Sequence, residues 1–443
     1  MDENQDVWNK KVAAKIIKNL EKRRMEGSYA LTAAQAKDEV IAKIPQGTTV
    51  FRCGSMTAVG AGLWEGIATL PEVKLIDPYP PELSPEEAME LFRSNDMLEP
   101  ASTANELRNR RTDPDVVTYI VDRNINYTNI CMSCCDFCAF YRDKGDPEGY
   151  VLDGETLDEK IQETIDNGGT QILLQGGLNP DLEINFFENL FRHIKERFDI
   201  HLHALSPPEI VHISEVSSLS IMESILRLRR AGLDTIPGGG AEILSDSIRS
   251  RVSPRKCTAS QWVEVMETAH NMGIRTTATM MFGHGDSIEE RVEHLTRVRE
   301  LQDRTGGFTA FIPWTYQPAN TRLGGSPIGG FEYLKTLAIC RIYLDNFANV
   351  QASWVTQGKG VGTVALKFGA NDMGGIMMEE NVVAAAGCTY SMTEREVRRL
   401  IAEMGYRPMK RNTYYELLEE GAKDEGISPE GRSKSGHPGV RVR

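Results

Sequence analysis

The chain has 443 residues, 40% of them hydrophobic and 26% charged, with a formal net charge of −13. That length suits one large domain with smaller additions, and the balance is that of a soluble globular protein. The negative charge disfavours nucleic acid, whose phosphates it repels in bulk, and without eighteen consecutive apolar residues no membrane span is expected. The opening MDENQDVWNKK lacks the basic-then-apolar pattern of a secretory signal, so a cytoplasmic location is expected.

Residues 1–80 read as a small α/β segment: a helical pattern over Val12–Arg24, a short run Thr48–Arg52, a turn at Cys53-Gly54-Ser55 and a strand-like Val73–Asp77. A Pro-rich stretch at 78–84 marks a boundary, and Ser84-Pro85-Glu86-Glu87 opens a helix in a helical linker over 81–115. From Val116 strands and helices alternate. Strand-like runs occupy 116–121, 170–175, 200–205, 234–238, 275–282, 308–314 and 350–355. Capping signatures at Thr156, Ser220, Thr258 and Ser287 mark helix starts among them. Such repeats imply an α/β fold with a parallel sheet and right-handed crossovers. The expectation is a full or partial TIM-like β/α barrel, with its core at 116–345 and a barrel-closing region at 346–420. Its active site should sit at the carboxyl ends of the strands. Residues 421–443 are polar and rich in Gly, Ser, Pro and Arg, and are expected to be disordered.

Four of the eight cysteines fall between positions 131 and 138. In a reducing compartment such a cluster indicates metal binding or catalysis rather than disulfides. Cys131, Cys135 and Cys138 have the spacing C-x3-C-x2-C on a loop after the strand-like NINYTNI. Three thiolates on one short loop can wrap one face of an iron–sulfur cubane and leave one iron open. An open metal position marks chemistry rather than structure. Taking Cys134 as a fourth ligand would instead give structural zinc or an electron-transfer cluster. Zinc sites usually pair two C-x2-C knuckles, and the sequence has no second one, so Cys134 is read as a bystander.

Further candidates sit at strand ends. Gln175-Gly176-Gly177-Leu178 is either a cofactor turn, its glycines permitting close backbone approach, or a plain β-α turn. Ser206 and Glu209 either hold a ligand or start the next helix. His201 and His203 share one strand face, as pocket wall or core. Gly239, in the turn Pro237–Glu242, could admit the edge of a nucleoside. His284 is a candidate titrating group or a structural histidine. Trp314 and Gln317, like Trp354 and Gln357, either suit a substrate with an aromatic ring and sugar hydroxyls or simply pack.

C-x3-C-x-aromatic-C, with Phe137 before the third cysteine and after the first strand of a β/α array, resembles the radical S-adenosylmethionine (SAM) superfamily. The resemblance implies a reduced 4Fe–4S cluster on Cys131, Cys135 and Cys138 that cleaves SAM to methionine and a 5′-deoxyadenosyl radical. Phe137, Gln175, Gly176, Gly177, Ser206 and Gly239 would lie around the cofactors. Leu178 stands where the superfamily often has an acid, which removes that side-chain contact. From about Ser84 to Tyr415, runs such as VTYIVDRNINYTNIC, GGTQILLQGGLNPDL, HLHALSPPEIVHIS, GLDTIPGGGAEIL, FIPWTYQPANT and KFGANDMGG resemble the cyclic dehypoxanthine futalosine synthases of the futalosine route to menaquinone. This implies abstraction of the ribose C4′ hydrogen of dehypoxanthine futalosine, addition of the carbon radical to the benzoate ring, and a spirocyclic product. His284 or Glu209 would accept the ring proton. The implied partners are this small molecule and an electron donor such as flavodoxin or ferredoxin. Rival readings are aminofutalosine synthase, a deazaflavin-precursor enzyme, and a non-catalytic iron–sulfur carrier or binding protein. The N-terminal segment resembles part of the lactate-utilisation (LUD) domain, with Cys53 where that pattern expects glycine.

Overall fold

A computed structural model describes residues 3–23, 26–51, 58, 61–76 and 83–418. The expected turn at Cys53-Gly54-Ser55, most of the Pro-rich boundary and the 421–443 tail lie outside these residues. In the N-terminal unit, β1 (Thr49–Phe51) and β2 (Lys74–Ile76) pair in parallel. Helices Ala33–Ala42 and Leu63–Ala68 pack on each other, and the second buries Trp64 and Ile67. The helix expected over Val12–Arg24 runs Glu3–Glu21. Helix Pro85–Arg93 starts where the sequence indicates, with Ser84 and Glu87 forming a reciprocal capping box. That helix and Leu98–Arg111 pack on the helices Ile288–Thr305 and Gly330–Tyr343 of the main body.

The main body is a ring of parallel strands. In chain order these are β3 (Val116–Ile120), β4 (Asp122–Asn126), β5 (Gln171–Gln175), β6 (His201–Ala204), β7 (Thr276–Phe282), β8 (Phe308–Thr315), β9 (Asn349–Val350) and β10 (Asp372–Gly375). β4, β5 and β6 are neighbours, as are β7, β8 and β9. Thr235 and Ile236 bridge the two groups, pairing with His203 and Thr276. On the other side Gln351 pairs with Asp372, and β10 pairs with β3, whose chain runs on into β4. The ring therefore closes into a full barrel. Outward apolar residues such as Ile125, Ile172, Leu174 and Leu202 are buried against the surrounding helices. Inward positions on β4 and β5 are polar except Leu173: Asp122, Asn124, Asn126, Gln171 and Gln175.

Several expectations change. The run at 234–238 forms only isolated bridges, because Pro237 has no N–H to continue a ladder. The run at 350–355 stops at Val350, and Trp354 instead begins helix Trp354–Val364. Helix Gly154–Asp166 is capped by Asp153, whose side chain accepts from the Thr156 N–H at 2.8 Å, so Thr156 lies inside the first turn. Ser220, Thr258 and Ser287 do cap their helices. Two strands carry no clear signal in the sequence: β10, which is half glycine, and β11 (Arg407–Lys410), which pairs with β3.

Candidate active site

A cavity of about 410 Å³ runs inside the barrel, from Cys131, Cys135 and Cys138 at the carboxyl ends of the strands to Asp122, Gln171 and Arg411 at the floor. The cysteine loop is pinned by backbone hydrogen bonds to separate segments. Cys131 N–H donates to the Arg142 carbonyl (3.0 Å), Met132 to Leu178 (3.0 Å) and Asp136 to Val252 (2.9 Å). Between the proposed ligands Cys134 takes a left-handed backbone, φ 47°. Its sulfur turns toward Asp143 Oδ1 (3.5 Å) and Arg255 Nη1 (3.7 Å), and it does not line the cavity. Burial pushes the Cys135 thiol up to about 11, against the pull of the nearby Lys256 cation and of Ser133, whose Oγ is 3.2 Å from Cys135 Sγ. Burial raises Cys138 as well. Lys256 sits 5.3 Å over the Phe137 ring and pairs with Glu242 at 2.5 Å.

Beside this loop the chain approaches itself too closely for any side chain. A Cβ on Gly177 would lie 2.2 Å from the Ile130 carbonyl oxygen and 2.9 Å from Cys131 Cβ. One on Gly176 would lie 2.6 Å from the Tyr127 ring. Across the cavity, a Cβ on Gly239 would lie 2.5 Å from Gln175 Nε2. The cysteine loop, the Gly176–Gly177 turn and the Gly239 turn thus meet at one rim, with Phe137, Gln175 and Ser206 also on the wall.

The two candidate proton acceptors sit differently from expectation. Glu209 reaches the wall, but its oxygens are already engaged. Oε1 accepts from Tyr127 O–H (2.7 Å) and Gly176 N–H (2.9 Å), and Oε2 from Ser206 N–H (2.7 Å) and Ser206 O–H (2.5 Å). Burial raises its pKa while these bonds oppose the rise. Glu209 therefore caps helix Pro207–Val216 and clamps the Gly176 turn, and has no lone pair left for a substrate proton. His284 is 3% exposed and does not line the cavity. It is wedged between the rings of Phe137 (6.0 Å) and Tyr316 (6.4 Å). Its Nδ1 lies 3.3 Å from Asp286 Oδ1 without a hydrogen bond's geometry, and burial depresses its pKa. It packs against Phe137, a residue of the cavity wall.

His203 does line the cavity. Its Nδ1 meets Thr235 Oγ1 at 2.7 Å, and burial holds the ring neutral, its pKa pressed to about 3. His201 shares the same hydroxyl at 2.8 Å but lies off the cavity. Trp314 is on the wall, and Trp354, also on it, donates to the Gly375 carbonyl at 3.1 Å. Sequence reasoning passed over Glu380. It faces the cavity, Oε1 accepting from the Val382 (2.8 Å) and Val383 (3.2 Å) amides and Oε2 from Asn124 Nδ2 (2.8 Å). Burial raises its pKa. It also passed over Asp122 and Asn124, although the polar alternation of DRNIN marks one face of β4.

A family model for the radical SAM superfamily matches residues 125–298, and one for the CofH/MqnC C-terminal region matches 305–423. The cyclic dehypoxanthine futalosine synthase of Halalkalibacterium halodurans is 48% identical over 76% of this chain and 91% of its own. The 5-amino-6-(D-ribitylamino)uracil–L-tyrosine 4-hydroxyphenyl transferase of Archaeoglobus fulgidus is 42% identical over 71% of this chain and 92% of its own. The crystal structure of methylornithine synthase shares the fold, with a TM-score of 0.59 at 18% identity over 75% of this chain and 95% of that one. The residues present fit the group this family carries. Three soft sulfur donors on one pinned loop face the cavity, beside backbone that only glycine leaves open. Among the described residues no three His, Cys, Asp or Glu side chains gather as ligands of one ion. A cubane, in contrast, takes each thiolate at a different iron. The chain belongs to the radical SAM superfamily, in the branch that carries the CofH/MqnC C-terminal region, and is an enzyme whose cofactors are a 4Fe–4S cluster and S-adenosylmethionine.

Proposed function

We propose that this enzyme is a cyclic dehypoxanthine futalosine synthase, acting in menaquinone formation. The observation that carries the reading is 48% identity to the Halalkalibacterium synthase across 91% of that protein, against 42% to the Archaeoglobus transferase. In this reading Cys131, Cys135 and Cys138 hold the cluster, and a small reductant such as flavodoxin or ferredoxin supplies its electron. Held there, a reduced cluster would supply, together with SAM, the radical chemistry that removes the ribose C4′ hydrogen.

The chain's own part is to bind, orient and exclude water. Gly176 and Gly177, without side chains, let the methionyl end of SAM approach the backbone closely, and Glu209 holds that turn still. Ser206 and Gly239 lie on the same wall. Phe137, backed by His284, closes the cluster side. Leu173, Ile312, Trp314 and Met281 give the benzoate ring apolar walls that keep water from a radical. Holding ribose and ring in one cavity makes their joining effectively unimolecular. As the ring regains aromaticity its proton goes to Glu380 Oε2, which accepts one hydrogen bond, from Asn124, and whose buried carboxylate favours protonation, while the electron lost with it passes to a one-electron acceptor such as the oxidised form of the electron-transfer partner.

The test is anaerobic reconstitution followed by product analysis with SAM, dithionite and dehypoxanthine futalosine. Free 5′-deoxyadenosine together with a cyclised product is expected, and Cys135→Ala should abolish both. An adenosyl adduct would overturn the reading in favour of aminofutalosine synthase. The transferase likeness supports a second reading, in which L-tyrosine and a ribitylaminouracil are the substrates. Turnover of that pair alone would establish it.

A further inference from the structure

β4 turns Asp122 and Asn124 into the barrel, each only 4% exposed. Polar groups this deep need partners, and some are supplied. Asp122 Oδ2 accepts from Gln171 Nε2 at 3.0 Å, and Asn124 Nδ2 is spent on Glu380. Two acceptors remain. Asp122 Oδ1 and Asn124 Oδ1 are both buried without a hydrogen bond. The Met377 amide helps stabilise the Asp122 carboxylate but does not meet Oδ1 in hydrogen-bond geometry. The nearby cation does not fill the gap either, because Arg411 is committed to Asp372 at 2.5 and 2.9 Å. The β10 backbone lies close by: a Cβ on Gly375 would come within 2.1 Å of Asp122 Oδ1, so only glycine leaves room for the carboxylate on this wall of the cavity.

The two residues are i and i+2 on one strand, so their backbones are about 7 Å apart on the same face. Two acceptors at that spacing want two donors from one molecule. An anion would be repelled by Asp122, and an apolar group would leave both oxygens unsatisfied. Neighbouring hydroxyls match, each donating one hydrogen. His203, neutral and on the same wall, adds a group able to give or accept.

We propose that Asp122 Oδ1 and Asn124 Oδ1 form a hydroxyl-recognising subsite deep in the barrel, which anchors the sugar or polyol part of the substrate. The identity of the sugar rests on the function proposed above. The subsite does not, because a ribityl chain presents the same chemistry as a ribose. The test uses reconstituted holoenzyme with SAM and compares dehypoxanthine futalosine with ribose-deoxy analogues, by steady-state kinetics and by calorimetric binding. The wild type should lose about tenfold in affinity for the analogue that lacks the bound hydroxyl. Asp122→Ala should lose a similar factor on the parent, keep its KM for SAM, and no longer tell parent from analogue. Asp122→Leu, close in shape and without either acceptor, gives the same comparison if the alanine variant does not fold, and Asn124→Ala tests the second oxygen. Wild type and variants discriminating equally would overturn the proposal, as would a wild type that ignores every hydroxyl deletion. If the enzyme binds only the ribitylaminouracil, the function reading fails, and ribityl-deoxy analogues decide the subsite by the same criterion.

Discussion

Gly177 joins the two halves of the cofactor site at a single atom's distance. The Ile130 carbonyl immediately precedes the first cysteine, and it occupies the space a methyl group at 177 would need. That obstacle is backbone, which cannot rotate aside as a flexible side chain does. Gly177→Ala should therefore push Cys131 out of position. The expected outcome is a lower iron content after reconstitution and a SAM-cleavage loss of at least tenfold, with the far-UV spectrum unchanged; full iron loading would refute it. Gly273→Ala, in a turn with φ +77° and open space around it, makes a control that should lose stability but not iron. The cysteines were legible because their spacing is covalent and local. Glu209 and His284 were not. The partners that decide their roles, Tyr127 for one and Phe137 for the other, come from segments far away in the chain. Asp122 and Asn124 were half legible. Period-two polarity shows a polar inner face but not which oxygens lack a donor.

At the scale of elements, the least visible strand controls the barrel floor. β11 adds to β3, and the residue just after it, Arg411, reaches in and grips Asp372 with two parallel hydrogen bonds. The Tyr415 ring lies 3.9 Å from the same guanidinium, which is held charged by that carboxylate against the cost of burial. Removing one partner of such a buried pair leaves an uncompensated charge, at a cost of about 3–5 kcal/mol. Arg411→Met should lower the denaturation free energy by that order, and Asp372→Asn in the same chain should restore much of it. If the double variant is no more stable than the single, the pair is not what holds the floor. Long ladders such as β7 and β8 announced themselves through runs of apolar and β-branched residues. β9, β10 and the Thr235–Ile236 bridge did not, since two to four residues of pairing leave no periodicity to detect, and the barrel's geometry supplies the rest.

For the molecule as a whole, the boundaries of the family matches and of folding differ. The superfamily match ends at residue 298, before β8, and the C-terminal match begins at 305. Yet β8 pairs with β7 along its whole length, and β9 and β10 carry the ring back to β3. Cutting after residue 345 would remove β9, β10 and β11 with the buried Phe347 and Trp354, and would expose the edges of β8 and β3 and the Phe308 and Phe311 rings that Phe347 packs against. Unpaired parallel edges have no local structure to fall back on and invite association. The N-terminal unit is different. Among its described residues the main packing is internal, and an exposed ion pair of Lys74 with Glu90, of a kind that contributes little to stability, links it to the following helix. Two truncations therefore behave oppositely. A chain beginning at residue 83 should keep its iron, its SAM cleavage and a single melting transition within about 2 °C of the parent. A fragment spanning 83–345 should show no cooperative transition and should aggregate on refolding. Equal stability of the two would mean that the ring does not need its last strands, and the account of the barrel as one closed cooperative unit would fail.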